Sequence, residues 1–206
     1  MLVEVKHPCI QHKLALLRDT TTSHKKFREL ATEVTMFLCY EALKHVATRD
    51  VSVTTPVGEA QCKVIANDVI AVPILRAGIG MLDGVLNLLP TARVGFMGLY
   101  RDPETKQPVQ YYERLPPEAQ DALHLVIDPM LATGGSASAA LTAVKAAGVK
   151  NVVMICIVTC PEGAAVIERD HPDVPIYAAA VDERLDERKY IVPGLGDAGD
   201  RLYGTS

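Results

Sequence analysis

Tryptophan is absent from this 206-residue sequence, and aromatic residues of all kinds make up only 5%. That scarcity counts against a β-sandwich, whose core leans on aromatic and β-branched packing. No apolar run reaches the roughly 18 residues that a membrane helix needs, and the opening MLVEVKHPCIQHK holds no apolar signal core. A soluble, unsecreted, cytoplasmic protein with no membrane partner is expected. A basic excess is also missing: 21 Lys and Arg against 25 Asp and Glu leave a formal charge of −4. A chain that grips a long polyanion usually carries the opposite balance, so no nucleic-acid partner is expected. The five cysteines are odd in number and scattered, and no Cys/His cluster has zinc spacing. Cys156 and Cys160 read as members of one strand, roughly 13 Å apart at about 3.3 Å per residue, too far for a disulfide. Reduced thiols are the simplest reading.

What the chain does have is bulk and alternation. Apolar residues make up 49% and charged residues 22%, enough to fill a core and too ordered a balance for a disordered chain. One domain over 1–206 is expected. Residues 1–50 read as helical, with Ser23 as a cap and Phe27, Leu30, Ala31, Val34 and Leu38 on one face. Residues 51–65 alternate weakly around a Pro-Val-Gly turn and read as a hairpin. Residues 69–75 (VIAVPIL) form a strand apolar on both faces, followed by a helix over 79–89 and a strand over 93–100. The polar, proline-rich stretch 102–117 reads as a long loop or two-stranded arm, of the kind that is usually functional or mobile. Strand 123–127, helix 136–147 with Gly148 as its stop, strand 151–158, helix 162–169 and strand 174–181 complete the pattern. Strands alternating with helices predict an α/β fold with a central parallel sheet flanked by helices.

Ligands of such sheets gather at the C-terminal ends of the strands. Arg76-Ala77-Gly78 follows the first of these strands, Arg101-Asp102 the second, Asp128-Pro129 the third, and Thr159-Cys160-Pro161-Glu162-Gly163 the fourth. Two arginines, a carboxylate and several glycines at one edge suit a multiply phosphorylated ligand. The strongest segment is Asp128-Pro129-Met130-Leu131-Ala132-Thr133-Gly134-Gly135-Ser136, set between strand and helix. Free N–H groups at a helix start, with the macrodipole behind them, favour an anion there. Gly134 and Gly135 let the backbone wrap closely, and Thr133 and Ser136 add hydroxyls. Asp128 would repel a phosphate and is better suited to ribose hydroxyls or metal-bound water. A plain strand-to-helix turn with a serine cap is the bland alternative for Thr-Gly-Gly-Ser alone. An arginine after a strand, such as Arg76 or Arg101, is more often a solvated end residue. The string Gly194-Leu195-Gly196-Asp197-Ala198-Gly199 formally matches a dinucleotide fingerprint. Only seven residues follow it in this sequence, too few for the crossover helix, strand and ribose-binding acid. The six histidines read as structural or solvated.

An apolar strand followed by Asp128 and Ala132-Thr133-Gly134-Gly135-Ser136 resembles the phosphoribosyl-pyrophosphate (PRPP) motif of type I phosphoribosyltransferases. Many members carry two adjacent acids, and Pro129 stands here in place of the second. That departure is similar to the uracil branch, whose usual form is Asp-Pro-Met-Leu-Ala-Thr-Gly-Gly-Ser. Pro73-Ile74-Leu75-Arg76-Ala77-Gly78-Ile79-Gly80-Met81 resembles the same branch, as do Tyr190–Arg201 and the N-terminal His7-Pro8, Gln11-His12-Lys13-Leu14 and Leu17-Arg18-Asp19. Residues 43–68 fit it poorly.

The resemblance implies a core over about 66–182, a hood from the N-terminal region and 183–206, and a β-arm or flexible loop. It implies transfer of the phosphoribosyl group of PRPP to N1 of uracil, giving UMP, with Mg²⁺ as cofactor. Arg76, Arg101, Asp128, Pro129, Met130, Leu131, Ala132, Thr133, Gly134, Gly135, Ser136 and Asp197 would hold PRPP. Main-chain groups of Ile191, Gly196 and Ala198 would read uracil, with Asp197 near PRPP and its metal. Arg76, Asp128 and Asp197 would serve the chemistry, and Tyr190 is placed to close the pocket around C5 of the base. A homo-oligomer is implied, and GTP is an effector of some relatives. A transferase for another nucleobase and a regulatory RNA-binding protein on the same scaffold are the competing readings.

Overall fold

The computed structural model describes residues 1–102, 108–117 and 119–205, with the side chains of His45 and Arg101 outside the description. In chain order the elements are β1 (Leu2–Glu4), α1 (Pro8–Arg18), α2 (His24–Ala42), a 3₁₀ turn (Leu43–His45), β2 (Thr48–Thr55), β3 (Gly58–Ile65), β4 (Val69–Leu75), α3 (Ile79–Leu88), β5 (Arg93–Val94), β6 (Phe96–Arg101), β7 (Pro108–Arg114), β8 (Leu123–Ile127), β9 (Met130–Leu131), α4 (Gly135–Ala146), β10 (Asn151–Thr159), α5 (Pro161–Asp170), β11 (Ile176–Val181), β12 (Arg184–Leu185), β13 (Ile191–Val192) and α6 (Ala198–Tyr203).

The main sheet runs β1-β11-β10-β8-β4-β6-β7, with β5 beside β4 and β9 beside β10. Every pairing in it is parallel except β6 with β7. Period-two alternation sends successive residues of each strand to opposite faces. Val69 and Ala71 of β4, Leu125 and Ile127 of β8, and Val153, Ile155 and Ile157 of β10 meet Phe27, Leu30, Val34 and Leu38 of α2 and Met81 and Val85 of α3. Ile70, Val72, Val126, Val152 and Met154 point the other way, against Ala140, Leu141 and Val144 of α4 and Ile167 of α5. This three-layer arrangement explains why the strands read as continuous apolar runs rather than as half-polar ones.

Chain direction across the sheet places the ligand crevice. From β4 the chain winds outward to β6, while from β8 it winds the opposite way through β10 to β11. The order therefore reverses between β4 and β8, and crossovers diverge there on either side of the strand ends. Arg76 follows β4 and Asp128 follows β8 at that gap.

Several sequence expectations need correction. Residues 1–50 are not wholly helical: β1 is an edge strand in register with β11, through Leu2 with Ile176 and Val3 with Tyr177. Three residues are too short for alternation to show. The 51–65 hairpin extends to 48–65 as β2 and β3. The 93–100 strand is broken at Gly95. The arm reading of 102–117 is met in part by β7, while 103–107 lie outside the described residues. Cys160 lies beyond β10, at the N-cap of α5, so it does not share a strand with Cys156. Among the described residues no helix is long and apolar enough to cross a membrane.

Candidate active site

The segment after β8 is stitched down before it turns. The Asp128 N–H donates to Ile155 O at 3.2 Å, and the Pro129 carbonyl accepts from both Ile157 and Val158 N–H at 3.1 Å. Met130 and Leu131 then pair with Val158 and Thr159 as β9, a two-residue strand that sequence reasoning took for part of the turn. Thr159 Oγ1 adds a bond to Leu131 O at 3.0 Å. The chain thus enters α4 along a fixed path. At its start the N-cap residue Gly134 takes a left-handed φ of 78° and has no side chain of its own to cap the first turn. The N–H groups that begin α4 therefore face a small recess of about 90 Å³ lined by Asp128, Leu131, Ala132, Thr133, Gly134 and Ser136. A helix start of this kind, begun by glycine and lined by hydroxyl-bearing residues, is suited to a phosphate dianion.

Asp128 is half-buried where this recess meets a second cleft of about 210 Å³. Burial raises its pKa to about 7, and the hydrogen bond from the Met130 N–H only partly offsets that rise. A carboxylate so desolvated gains strongly from hydroxyl donors or from a cation. The larger cleft is closed on its far side by the C-terminal segment, through Lys189, Tyr190, Gly196, Asp197, Ala198 and Gly199. Ala77 lines it too, and the close seat of Gly78 shows why: a Cβ there would lie 2.5 Å from Ile127 O. The loop after β4 is pressed onto the end of β8.

Charge-assisted bonds from arginines at both ends of the chain tie the C-terminal segment to the N-terminal helices. Arg18 makes a two-pronged bond to Asp182, at 2.9 and 2.6 Å, and also donates to Gly194 O at 2.8 Å. Arg201 donates to the carbonyls of Leu17, Leu195 (3.1 Å) and Asp19 (2.6 Å), with its guanidinium 4.4 Å from the Phe27 ring centroid. Arg28 donates to Leu202 O at 2.6 Å.

Of the residues expected from sequence, Asp128 through Gly134, Ser136 and Gly196 through Ala198 line the recess and the cleft, which share Asp128 and Met130, whereas Gly135 lines neither. Ile191 is buried in β13 behind it, and Arg76 is exposed at its rim with its carbonyl accepting from Tyr203 Oη at 3.1 Å. Asp197 also caps α6, one carboxylate oxygen accepting from the Asp200 N–H at 2.9 Å. The Arg101 side chain lies outside the described residues. Sequence reasoning missed Lys189, which lines the cleft with a left-handed φ of 69°, and the bracing role of Arg18, Asp182 and Arg201. Asp182 directly follows a buried strand, a position that could have flagged it.

A larger groove of about 350 Å³ lies on the flank of α1 and α2, between Val5, Phe37, Tyr40 and Leu88. Its lining offers no lysine or arginine, so size alone would misplace the chemistry. Among the described residues no cluster of three or more His, Cys, Asp or Glu side chains is disposed to hold a metal. The cleft carboxylates Asp128 and Asp197 are hard oxygen donors. They fit Mg²⁺ bound mainly by water and substrate oxygens rather than by a protein cage.

A doubly wound sheet with a recess at a helix start beside its switch point is the arrangement of the type I phosphoribosyltransferase fold. A solved hypoxanthine-guanine phosphoribosyltransferase from Bacillus anthracis shares that fold at a TM-score of 0.50 and 7% identity, over 66% of this chain and 72% of the other. The family model for uracil phosphoribosyltransferase matches residues 3–205, and the chain belongs to that family. It is 54% identical over 202 residues to a uracil phosphoribosyltransferase of Alkaliphilus metalliredigens, covering 98% of this chain and 97% of the relative. It is also 54% identical to that of Dictyoglomus thermophilum, over the full length of both. The solved AQ2163 protein from Aquifex aeolicus superposes with a TM-score of 0.94 at 41% identity, covering 100% of this chain and 99% of that one.

Proposed function

We propose that this chain transfers the 5-phosphoribosyl group of PRPP to N1 of uracil, giving UMP and pyrophosphate, a pyrimidine-salvage reaction. One observation carries the reading: the recess at the start of α4 and the cleft closed by Lys189, Tyr190 and residues 196–199 adjoin, with Asp128 and Met130 lining both. A nucleoside monophosphate has the same layout, with phosphate at one end, base at the other and ribose hydroxyls between. In this reading the start of α4 binds the 5′-phosphate, and Asp128 accepts hydrogen bonds from the ribose hydroxyls. Main-chain groups around Ile191, Gly196 and Ala198 read the N3–H and carbonyls of uracil. A peptide frame of this kind discriminates against cytosine, whose amino group would leave a buried donor without a partner.

Departure of pyrophosphate leaves positive charge on the ribose ring, so the chain must hold the leaving group and aim the nucleophile. Arg76 at the rim and Arg101 would take the pyrophosphate oxygens. Mg²⁺, when bound with PRPP, would supply further neutralisation of the leaving group, with Asp128 and Asp197 reached directly or through water. No side chain is needed as a strong base, because uracil N1–H is itself acidic.

The deciding assay mixes protein, PRPP and Mg²⁺ with each free nucleobase in turn. UMP from uracil alone is the expected product, and a purine nucleotide in its place would overturn the reading. Asp128→Asn and Arg76→Ala should each lower kcat/KM by about 100-fold or more while the far-UV circular dichroism is kept. The exposed β2–β3 hairpin supports a homo-oligomer: it forms a separate two-stranded sheet, and it carries Val53, Val57, Val64 and Ile65 on its exposed surface. Sedimentation at micromolar concentration should give at least twice the chain mass, and a monomer there would contradict the assembly. GTP titration of the rate tests the effector expectation directly.

A further inference from the structure

We propose that the Arg18–Asp182 pair is the positioning device for the base-reading loop, setting its distance from the phosphate recess. This rests on the reading of the cleft as a uracil and PRPP site. Asp182 is only 7% exposed and directly follows β11, while Arg18 closes α1. Their bidentate contact is linked on both sides to one residue of the loop: Arg18 donates to Gly194 O at 2.8 Å, and Asp182 Oδ2 accepts from Gly194 N–H at 2.8 Å. Both main-chain polar groups of Gly194 are therefore taken by a single ion pair. Gly194 sits between Ile191 and Gly196, in a turn so tight that a Cβ on it would lie 2.1 Å from Ile191 O. Fixing Gly194 fixes the groups on either side of it.

The pair also connects the two halves of the cleft. The Asp182 N–H donates to Thr159 O at 2.7 Å, and Thr159 Oγ1 donates to Leu131 O at 3.0 Å. A run of hydrogen bonds thus leads from Leu131 in the phosphate segment, through Thr159 and Asp182, to Gly194 in the base loop. Reaction requires N1 of the base within attacking distance of C1 of a ribose held at the other end, so this separation is what the chain must hold constant. A bidentate guanidinium–carboxylate contact constrains orientation as well as distance, which an ammonium cannot do. Arg201, which braces Leu195 from the other side of the loop, gives no such link to the sheet.

The test is steady-state kinetics of the wild type and of Arg18→Lys, Arg18→Met and Asp182→Asn, each with KM for uracil and for PRPP, kcat and thermal midpoint. Arg18→Lys keeps the charge and loses the fork, so it is informative even where the other two fold poorly. The expected result for Arg18→Lys is a rise in KM for uracil of about tenfold, with KM for PRPP within about twofold of wild type. The ratio of uracil to cytosine turnover should fall in parallel. A variant that raises both KM values equally, or neither, would overturn the proposal, because a merely structural contact makes no distinction between substrates. A wild type that forms no UMP would instead sink the functional reading on which this rests.

Discussion

Asp128 carries the sharpest residue-scale consequence. Its folded pKa, about 7, lies above the ordinary carboxylate value of 3.8 that it regains on unfolding. The folded chain therefore binds the extra proton between those values, and stability falls as pH rises through that window. Below about pH 4 the carboxyl is protonated in both states and the effect vanishes. Asp128→Asn should thus raise the melting temperature of the ligand-free protein at pH 8 and leave it nearly unchanged near pH 4. The full shift would correspond to about 4 kcal/mol; partial solvent access reduces this to about 1–2 kcal/mol, or several degrees. Equal melting shifts at both pH values would show that the carboxyl is not desolvated. The same group that loses activity on substitution should gain stability, since a site poised for a ligand is costly when empty. The presence of an acid at 128 was plain from the sequence. Its perturbation was not, because it arises from burial that only the assembled fold imposes.

At the scale of elements, α5 shapes the segment 128–136 from behind. A Cβ on Gly163 would lie 2.4 Å from both Leu131 O and Ala132 O, so the first turn of α5 rests directly against the chain entering α4. Gly163→Ala should push that segment away, raising KM for PRPP by about tenfold and costing about 1–3 kcal/mol of stability. Chemical denaturation and PRPP saturation curves check the two parts separately, and an unchanged KM would show that the segment yields easily. Element positions were largely legible. VIAVPIL read as a doubly buried strand and LHLVI and NVVMICIV as strands, and they are β4, β8 and β10; the helix after Gly134 begins within one residue of its expected start. β1 and β9 were not legible. At three and two residues they have no period of their own, and exist because β11 and β10 offer them open hydrogen-bonding edges.

Taken whole, the molecule buries its thiols unequally on the two faces of one sheet. Cys39 lies in α2, and burial pushes its pKa up to about 12; burial also raises Cys156 and Cys160. Cys9 is exposed and Cys62 half-buried. At pH 8 a thiol reagent should label Cys9 quickly and Cys62 more slowly, while the other three react only as fast as the fold opens. Rapid labelling of four or five cysteines in the native protein would contradict the packing. Those late thiols report on both layers at once, because Cys39 belongs to the α2 side and Cys156 to the α4 side.

By itself the sequence determined the class of fold, the order of its longer strands along the chain and the glycine- and hydroxyl-rich helix start at 128–136. Each is written in local terms: an apolar period, a glycine pair or a hydroxyl beside a helix start. Only the tertiary structure decided that residues 18, 182 and 194 would meet, and that 189–199 would roof the Asp128 cleft. The Arg18 contacts alone join parts of the chain more than 160 residues apart. They follow from which strands become neighbours, and the reversal of winding between β4 and β8 is a property of the assembled sheet that no single segment encodes.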